Sequence, residues 1–198
     1  RQVDPIKYGQ TRNFRDGAIT HLSPYISRGV ISTKQVLESV LSAGHVPHSI
    51  EKFIQELAWR DYWQQCWISK GHLIDDDLRQ KQPRAERMGI PLSISNHQTG
   101  IETIDNGIAE FYEDGFLHNH LRMYIASLAC NLARCHWKMP AQWMYYHLLD
   151  ADWASNALSW QWVSGANSNK LYFANQENIN KYFYSNQRNS FLDIGYDE

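Results

Sequence analysis

The chain has 198 residues and a formal net charge of −2, and its length favours a single domain with a substantial core. A charge so close to zero excludes a protein that binds nucleic acid through its overall field, so any such contact needs a local basic patch. Three cysteines are too few for a disulfide framework, and the sequence shows no signal peptide or long apolar run, which together predict a cytoplasmic protein without a membrane span.

The N-terminal part of the chain combines a polar segment with a helix start. Residues 1–18 are predicted to be irregular. Residues 20–25 then place a hydroxyl ahead of a proline, which is typical of a helix with Ser23 as the N-cap and Pro24 in the first turn. Backbone N–H groups at such a start can hold a phosphate, and a plain capped helix is the alternative interpretation.

Two further helices are predicted before residue 70. The first begins at Ser32 and ends at Gly44, and the second covers residues 49–69 with an apolar stripe at helical spacing. On the second helix, side chains three to four residues apart share one surface, namely Glu56, Trp59, Arg60 and Trp63. The alternative interpretation is that the Trp residues belong to the core and that Glu56 and Arg60 form a solvated ion pair.

Residues 70–98 contain several prolines and glycines, which indicates a long surface connection. This segment holds the concentrated basic stretch of the sequence, made of Arg79, Lys81, Arg84 and Arg87. A solvated loop is the default interpretation, and a loop that contacts phosphate groups is the more specific one.

The rest of the chain is also predicted to be helical, over residues 99–115, 117–137, 140–149 and 175–185. The second of these helices is apolar but carries Arg122, whose charge needs a partner such as Asp150 or Asp152 if it is buried. Since no alternating strand pattern and no repeat occurs, the predicted fold class is all-α, with residues 1–198 forming one helical domain.

Residues 149–162 are the most unusual stretch of the sequence. If this stretch is helical, Asp152, Asn156 and Trp160 fall on neighbouring faces. A carboxylate, an amide and an indole on one wall suit a flat heteroaromatic ring, because they offer hydrogen-bonding groups and a stacking face. The alternative is a polar helix start whose Trp residues lie in the core.

Familiar cofactor signatures are absent or incomplete. The sequence contains no glycine-rich motif of the dinucleotide-binding or P-loop kind. Cys130, Cys135 and His136 lack the spacing of a zinc site, so no metal is expected.

Several ordered segments of the chain resemble the flavin-binding helical domain of the photolyase/cryptochrome family. They are Tyr8 with Arg12-Asn13-Phe14, Thr20-His21-Leu22-Ser23-Pro24-Tyr25, residues 53–62, Gln98-Thr99-Gly100, residues 115–123 and residues 150–162. The resemblance covers most of the chain, from Tyr8 to Phe173.

The resemblance implies that a bent FAD lies at the centre of the helical domain. It places Asp150 and Asp152 at the flavin and adenine edges and pairs Arg122 with Asp150. Residues 20–23 and Arg60 would lie towards the phosphates. The full set of cofactor-binding residues that it implies is Tyr8, Thr20, His21, Leu22, Ser23, Phe53, Glu56, Arg60, Phe116, Asn119, Arg122, Asp150, Asp152 and Asn156.

The chemistry implied by the resemblance is light-driven electron transfer. A reduced, anionic flavin would pass one electron to a pyrimidine dimer in DNA and recover it after the ring opens. Asn156, an amide that does not ionise, would face flavin N5. Glu56 would hydrogen-bond the carbonyl edge of the dimer, and the extruded bases would pack on Trp59 and Trp162, with Met123 completing the pocket.

The chain departs from the family pattern at several points. The usual relay of three Trp residues matches at Trp160 and Trp137, but its outer position falls near Arg84, where no Trp occurs. His120 replaces a usual Arg, which weakens one expected DNA contact. The α/β antenna domain that precedes this region in the family is not in the sequence, and a partner that supplies it is left open. The residues expected to take part in catalysis are Glu56, Asn156, Trp160 and Trp137.

The leading hypothesis is an FAD-dependent protein of the photolyase type that repairs pyrimidine dimers under blue light, with damaged DNA as its partner. A flavin photoreceptor of the cryptochrome kind, which repairs nothing, is the second hypothesis. A helical interaction domain without a cofactor is the third.

Overall fold

Helices are the regular elements of the structure, a computed structural model that describes residues 3–193. Within these residues the strand-like pairing is limited to an isolated bridge between Arg87 and Cys135, so the predicted all-α class is confirmed. No helix in the described range is both long and apolar enough to cross a membrane. In chain order the α-helices are α1 (Pro5–Thr11), α2 (Ser23–Ser27), α3 (Thr33–Ser42), α4 (Glu51–Lys70), α5 (Leu92–Ser95), α6 (Glu102–Asp114), α7 (Asn119–Ser127), α8 (Lys138–His147), α9 (Trp153–Ser164) and α10 (Gln176–Phe183).

Side-chain caps fix the beginnings of α3 and α9. The Ser32 hydroxyl accepts a hydrogen bond from the N–H of Gln35 at 3.1 Å, and the Gln35 side chain accepts from the Ser32 N–H at 2.8 Å, which is a reciprocal capping box. Asp152 precedes α9 and accepts from the N–H of Ser155 at 2.7 Å. Both helices therefore begin close to where the sequence predicts them.

The prediction of an irregular segment over residues 1–18 is wrong where α1 forms. The Asp4 side chain accepts from the Lys7 N–H at 2.9 Å, and Pro5 lies in the first turn, where its missing N–H has no partner to lose. A helix of two turns is too short to show a clear apolar stripe, so periodicity did not reveal it. Residues 1 and 2 lie outside the described range.

The helix start after residue 20 uses a different capping residue from the one predicted. Ser23 is the first residue of α2, and Leu22 takes the N-cap position without a side-chain cap. The hydroxyl that serves this turn belongs to Thr20, which accepts from the Leu22 N–H at 3.3 Å. His21 between them has a φ of 55°, in the left-handed region, so the chain turns before the predicted cap.

The long apolar helix predicted over residues 117–137 is interrupted. α7 ends at Ser127 and is followed by a π-helical turn over Leu128–Leu132. Asn131 in this turn is buried, and its amide donates to the carbonyl oxygen of Val163 in α9 at 3.0 Å. The interruption is thus stabilised by a tertiary contact, which helical periodicity alone does not contain.

The segment of residues 70–98 is more than a surface connection. Its cationic side chains are exposed, namely Arg79, Lys81, Arg84 and Arg87. Ile74 and Gln82, in contrast, are buried. Buried Gln161 of α9 fastens the segment, because its amide donates to the Ile74 carbonyl oxygen at 2.9 Å and accepts from the Leu78 N–H at 3.0 Å.

Buried apolar side chains form two separate clusters. The larger cluster draws on α5 to α10 and includes Phe111, Tyr124 and Trp137. The smaller cluster joins α3 to the first turns of α4 and consists of Val36, Val40, Ile50 and Phe53. α4 packs against α9, and a cavity lies where these helices meet α1 and α7.

Replacing Ser32 with Ala is expected to lower the free energy of unfolding by about 1 kcal/mol, because the substitution removes the cap of α3 and leaves the Gln35 N–H unsatisfied. Urea unfolding followed by circular dichroism measures the change. Ser39→Ala, in the exposed middle of the same helix, is the matched control and should be neutral or slightly stabilising, since Ala has the higher helix propensity. Equal unfolding midpoints for the two variants would show that the capping box contributes nothing.

Candidate functional site

A cavity of about 650 Å³ is lined by residues of α1, α2, α4, α7, α8 and α9 and the loops beside them. This volume falls within the range of roughly 300–1,000 Å³ that is typical of small-molecule and cofactor sites. The predicted site residues that line the cavity are Tyr8, Thr20, His21, Ser23, Glu56, Trp59, Arg60, Phe116, Asn119, Arg122, Met123, Asp150, Asp152, Asn156, Trp160 and Trp162.

One wall of the cavity is a face of α4. Glu56, Trp59, Arg60 and Trp63 all line it, as their helical spacing predicts. The rings of Trp59 and Trp63 stack with their centroids 5.4 Å apart. Trp59 is 46% exposed, so the alternative interpretation of this residue as core is wrong.

A second wall is a face of α9. The structure brings Asp152, Asn156 and Trp160 together there, one helical turn after another. The Asn156 side-chain amide donates to the carbonyl oxygen of Ala141 in α8 at 2.8 Å, which fixes the orientation of the amide. Trp160 is among the lining residues, and its side chain is almost fully buried against the protein.

Guanidinium–carboxylate pairs connect the walls. The alternative interpretation, in which Glu56 and Arg60 form a solvated ion pair with each other, is wrong, because each side chain contacts a partner on another part of the chain. Among the described residues that line the cavity, the pairs are Arg12 with Glu56 at 3.4 Å, Arg60 with Asp152 at 3.2 Å, and Arg122 with Asp150 at 3.0 Å.

Arg122 has the partner that its position in an apolar helix requires. One terminal nitrogen donates to both oxygens of Asp150 at 3.0 and 3.1 Å, and Nε donates to the Leu117 carbonyl oxygen at 2.8 Å. Asp152 is held equally firmly by three groups, which are the N–H of Ser155, the side-chain amide of Gln64 and the Arg60 guanidinium. Both carboxylates are therefore fixed in place by their contacts with the protein.

Burial controls the protonation of three further groups in the cavity. Burial and the nearby Glu56 carboxylate raise the pKa of Tyr8 to about 12, so its hydroxyl stays protonated even in moderately alkaline solution. Burial lowers the pKa of His118, and burial together with the positive charges of His118 and Arg12 lowers the pKa of His120 to about 4. His120 is thus a neutral side chain near pH 7 where the family pattern has a cationic Arg.

Some polar atoms in the cavity walls have no hydrogen-bond partner among residues 3–193. The Oγ of Ser155 and the Nδ1 of His120 are both buried without a hydrogen bond. An unsatisfied buried polar group costs free energy, so these atoms favour a polar ligand that supplies the missing hydrogen bonds.

Other predicted site residues lie outside the cavity wall. Phe53 is buried in the smaller apolar cluster, with its ring 5.3 Å from the ring of Tyr8, and Leu22 packs against the same cluster. Trp137 is fully buried in the larger cluster, which also contains Trp160. Phe53 and Leu22 therefore support the wall from behind.

The structure also adds lining residues that the sequence pattern does not single out. Ser155 follows Asp152 by one helical turn, so its place on the cavity face of α9 could have been predicted from spacing. Met144 and Leu148, at the C-terminal end of α8, carry no such signal, because their helix reaches the cavity through tertiary packing.

The expected outer position of the Trp relay falls near Arg84, where no Trp occurs. Arg84 occupies this region and is exposed, with its guanidinium carbon 5.6 Å from the ring centroid of Phe173. The two inner positions, Trp160 and Trp137, are both buried.

The sequence and fold are similar to those of known proteins. The sequence model of the family described as the FAD binding domain of DNA photolyase matches residues 53–189. A deoxyribodipyrimidine photo-lyase from a Synechococcus species is 30% identical over 170 residues, which cover 80% of this chain and 35% of the relative. The chain spans about a third of the length of the curated relatives it matches.

Solved structures share the helical architecture. A bacterial class III photolyase from Agrobacterium tumefaciens superposes with a TM-score of 0.76 at 26% identity, over 90% of this chain and 39% of that protein. A cryptochrome from a Synechocystis species superposes with a TM-score of 0.81 at 24% identity, over 90% of this chain and 40% of that protein. The expected family and its cofactor, FAD, are thus confirmed.

Replacing Asp150 with Ala is expected to destabilise the protein by about 3 kcal/mol, because the largely buried Arg122 guanidinium loses its carboxylate. Glu86→Ala is the control, since it removes a carboxylate from an exposed pair with Arg134 and should cost less than about 1 kcal/mol. Urea unfolding near neutral pH compares the two variants. Equal losses of stability would mean that the cavity pair is no more important than a surface pair.

The lowered pKa of His120 predicts a loss of stability in acid. The pKa of His120 is 6.5 in the unfolded chain and about 4 in the folded protein. At pH values between these two, the unfolded chain binds a proton at this residue and the folded protein does not. Stability therefore falls as the pH is lowered through this window. His120→Gln is expected to reduce that fall without abolishing it, because the pKa of His118 is lowered as well.

Urea unfolding at several pH values inside and above the window tests this prediction. His48→Gln, at an exposed position, is the control and should leave the pH dependence as it is in the unmodified protein. A pH dependence that is unchanged in His120→Gln would contradict the prediction.

Proposed function

Since the chain belongs to the photolyase/cryptochrome family of FAD-binding domains, we propose that it is a light-dependent flavoprotein that repairs pyrimidine dimers in DNA. The observation that carries the proposal is the combination of two groups of side chains in one cavity. Groups suited to a flavin nucleotide line it, and so does the full set expected to bind a dimer, namely Glu56, Trp59, Met123 and Trp162.

The cavity walls fit FAD through their donor set. Asp150, Asp152 and Asn156 would bond the edges of the rings, and Arg60 with the turn of residues 20–23 would lie towards the phosphates. The orphaned Oγ of Ser155 supports a ligand with hydroxyl or heterocyclic groups at this place. Bound and reduced, FAD supplies one electron after it absorbs blue light.

Asn156 would act on the flavin as a fixed neutral group. Its Nδ2 is committed to the Ala141 carbonyl oxygen at 2.8 Å, so the direction of the amide is set before a ligand enters. An amide does not ionise and therefore offers a hydrogen bond at any pH at which the protein is folded. This supports its assignment to the position that stabilises reduced forms of the cofactor.

The dimer would enter where the cavity is most aromatic and open. Trp59 and Trp162 are 46% and 45% exposed, and half-exposed indoles are suited to stacking on extruded bases. Glu56 would bond the pyrimidine edge, and its carboxylate is positioned by Arg12 at 3.4 Å. Both groups are in place before the substrate binds, which lowers the entropy lost on binding.

Contact with the DNA backbone would come from a local patch, since the net charge of −2 provides no general attraction. The exposed cations of the segment 70–98 supply such a patch, and they are Arg79, Lys81, Arg84 and Arg87. Binding that depends on them should weaken as salt concentration rises.

The proposal is tested with purified protein loaded with FAD and an oligonucleotide that contains a single cyclobutane pyrimidine dimer. Repair under blue light and none in the dark is the expected result. Light-driven flavin reduction with intact dimers would instead indicate a photoreceptor of the cryptochrome kind. A protein that stays colourless after incubation with FAD would contradict both flavin functions and would support a helical interaction domain.

Trp59→Ala is expected to weaken binding to dimer-containing DNA by about 1–3 kcal/mol, the usual contribution of a base stacked on an aromatic side chain. Trp67→Ala is the matched control, because this indole lies on the same helix and is also exposed but does not line the cavity. Fluorescence anisotropy with labelled oligonucleotides measures both affinities. Affinity that is unchanged in Trp59→Ala would remove the proposed substrate pocket.

A further inference from the structure

Buried Trp137 lies at one end of a row of aromatic rings that reaches the surface. Its ring centroid is 6.4 Å from that of Trp153, at the start of α9. The Trp153 ring is in turn 5.5 Å from the ring of Tyr145 in α8, which it meets edge to face. Trp137 is fully buried and Tyr145 is 38% exposed, so the row connects the core with solvent.

Both indole N–H groups of this row donate to carboxylates of one short loop. Trp137 Nε1 donates to Asp77 Oδ1 at 2.8 Å, and Trp153 Nε1 donates to Asp75 Oδ1 at 2.7 Å. A carboxylate on an indole N–H stabilises the positive charge that the ring acquires when it loses an electron. The arrangement therefore lowers the free-energy cost of oxidising each of the two rings.

We propose that Trp137, Trp153 and Tyr145 form an electron path between the cavity region and solvent, with Tyr145 as its surface terminus. On the cavity side, Trp160 lines the cavity and belongs to the same buried cluster as Trp137. On the solvent side, Arg84 offers no ring at the expected outer position, and the path through α8 and α9 provides an exit. The light-driven use of the path rests on the proposed function, whereas transfer between Trp153 and Tyr145 does not.

The electron and proton balance is closed by groups at the two ends. One electron leaves Trp137 for an oxidant on the cavity side, which is a photoexcited, oxidised flavin in the proposed function. Trp153 returns one electron to Trp137, and Tyr145 returns one to Trp153. The phenolic proton of Tyr145 passes to solvent water, which leaves a neutral tyrosyl radical at the surface. A soluble thiol then donates a hydrogen atom to this radical, and two of the resulting thiyl radicals join as a disulfide.

The outer half of the path is tested first on the protein without FAD. Azide radicals, generated by pulse radiolysis at neutral pH, oxidise tryptophan faster than tyrosine, and a soluble phenol traps tyrosyl radicals covalently. Mass spectrometry gives the labelled fraction at each tyrosine. Tyr145 is expected to be labelled more than Tyr146, although Tyr146 is 82% exposed, because Tyr145 contacts Trp153 while Tyr146 contacts the ring of His147.

Three variants separate transfer along the path from direct attack at the surface. Trp153→Phe keeps an aromatic ring but removes the oxidisable indole, and it should lower labelling of Tyr145 severalfold and leave Tyr146 unchanged. Asp75→Asn should also lower it, whereas Asp76→Asn, at an exposed neighbour that pairs with a lysine, should not. If Trp153→Phe does not fold, the two Asp variants carry the test. If labelling of Tyr145 is unchanged in both Trp153→Phe and Asp75→Asn, the proposed path is wrong.

The connection to the cavity is tested with FAD-loaded protein under blue light and the same phenol trap. Labelling of Tyr145 that requires both light and FAD is the expected result, and Trp137→Phe should lower it severalfold. Labelling by azide radicals but not by light would overturn the link between the path and the cavity. Light-driven labelling of Tyr145 in a protein that does not repair dimers would contradict the proposed function and leave the electron path intact.

Discussion

The pairing of three guanidinium groups with three carboxylates is the constraint on which the cavity depends. Each pair joins parts of the chain that are distant in sequence: Arg12 to α4, α4 to the N-cap of α9, and α7 to the segment before α9. A charge removed from water is costly unless its partner is in place, so these contacts must form together as the helices pack. The cavity that results has polar walls whose charges are already balanced within the protein.

This balance shapes what the cavity can bind. Because the cationic and anionic groups satisfy one another, a ligand meets directed hydrogen-bonding groups and aromatic faces in place of an unpaired charge. Asn156 and Asp152 are both oriented by contacts to the protein, and burial raises the pKa of Tyr8 even further above the neutral range. Such groups lose little freedom when a ligand enters, which is the usual basis of tight and selective cofactor binding.

The parts of the site that could be predicted from the sequence follow from helical spacing within one element. The α4 face with Glu56 and Trp59, and the α9 face with Asn156 and Trp160, both required only the rule that residues three or four apart are neighbours. The alternative interpretation that paired Glu56 with Arg60 followed the same rule and was wrong, since each side chain contacts a partner from another element. The prediction of an uninterrupted helix after α7 and the prediction of the N-cap of α2 were wrong for a similar reason. Tertiary contacts decide the first feature, and a left-handed residue decides the second.

The face of α9 that points away from the cavity contacts residues 70–98, the segment after α4. These contacts explain why the segment is more than a linker. On the cavity side the helix presents polar and aromatic groups to a ligand. On the other side Gln161 bonds the backbone of the segment, and Trp153 donates to its Asp75 carboxylate. The same loop therefore fixes the position of α9 and places a negative charge beside the Trp153 indole. A displacement of this loop would alter both the cavity wall and the electronic environment of Trp153, so the two properties are mechanically coupled through one helix.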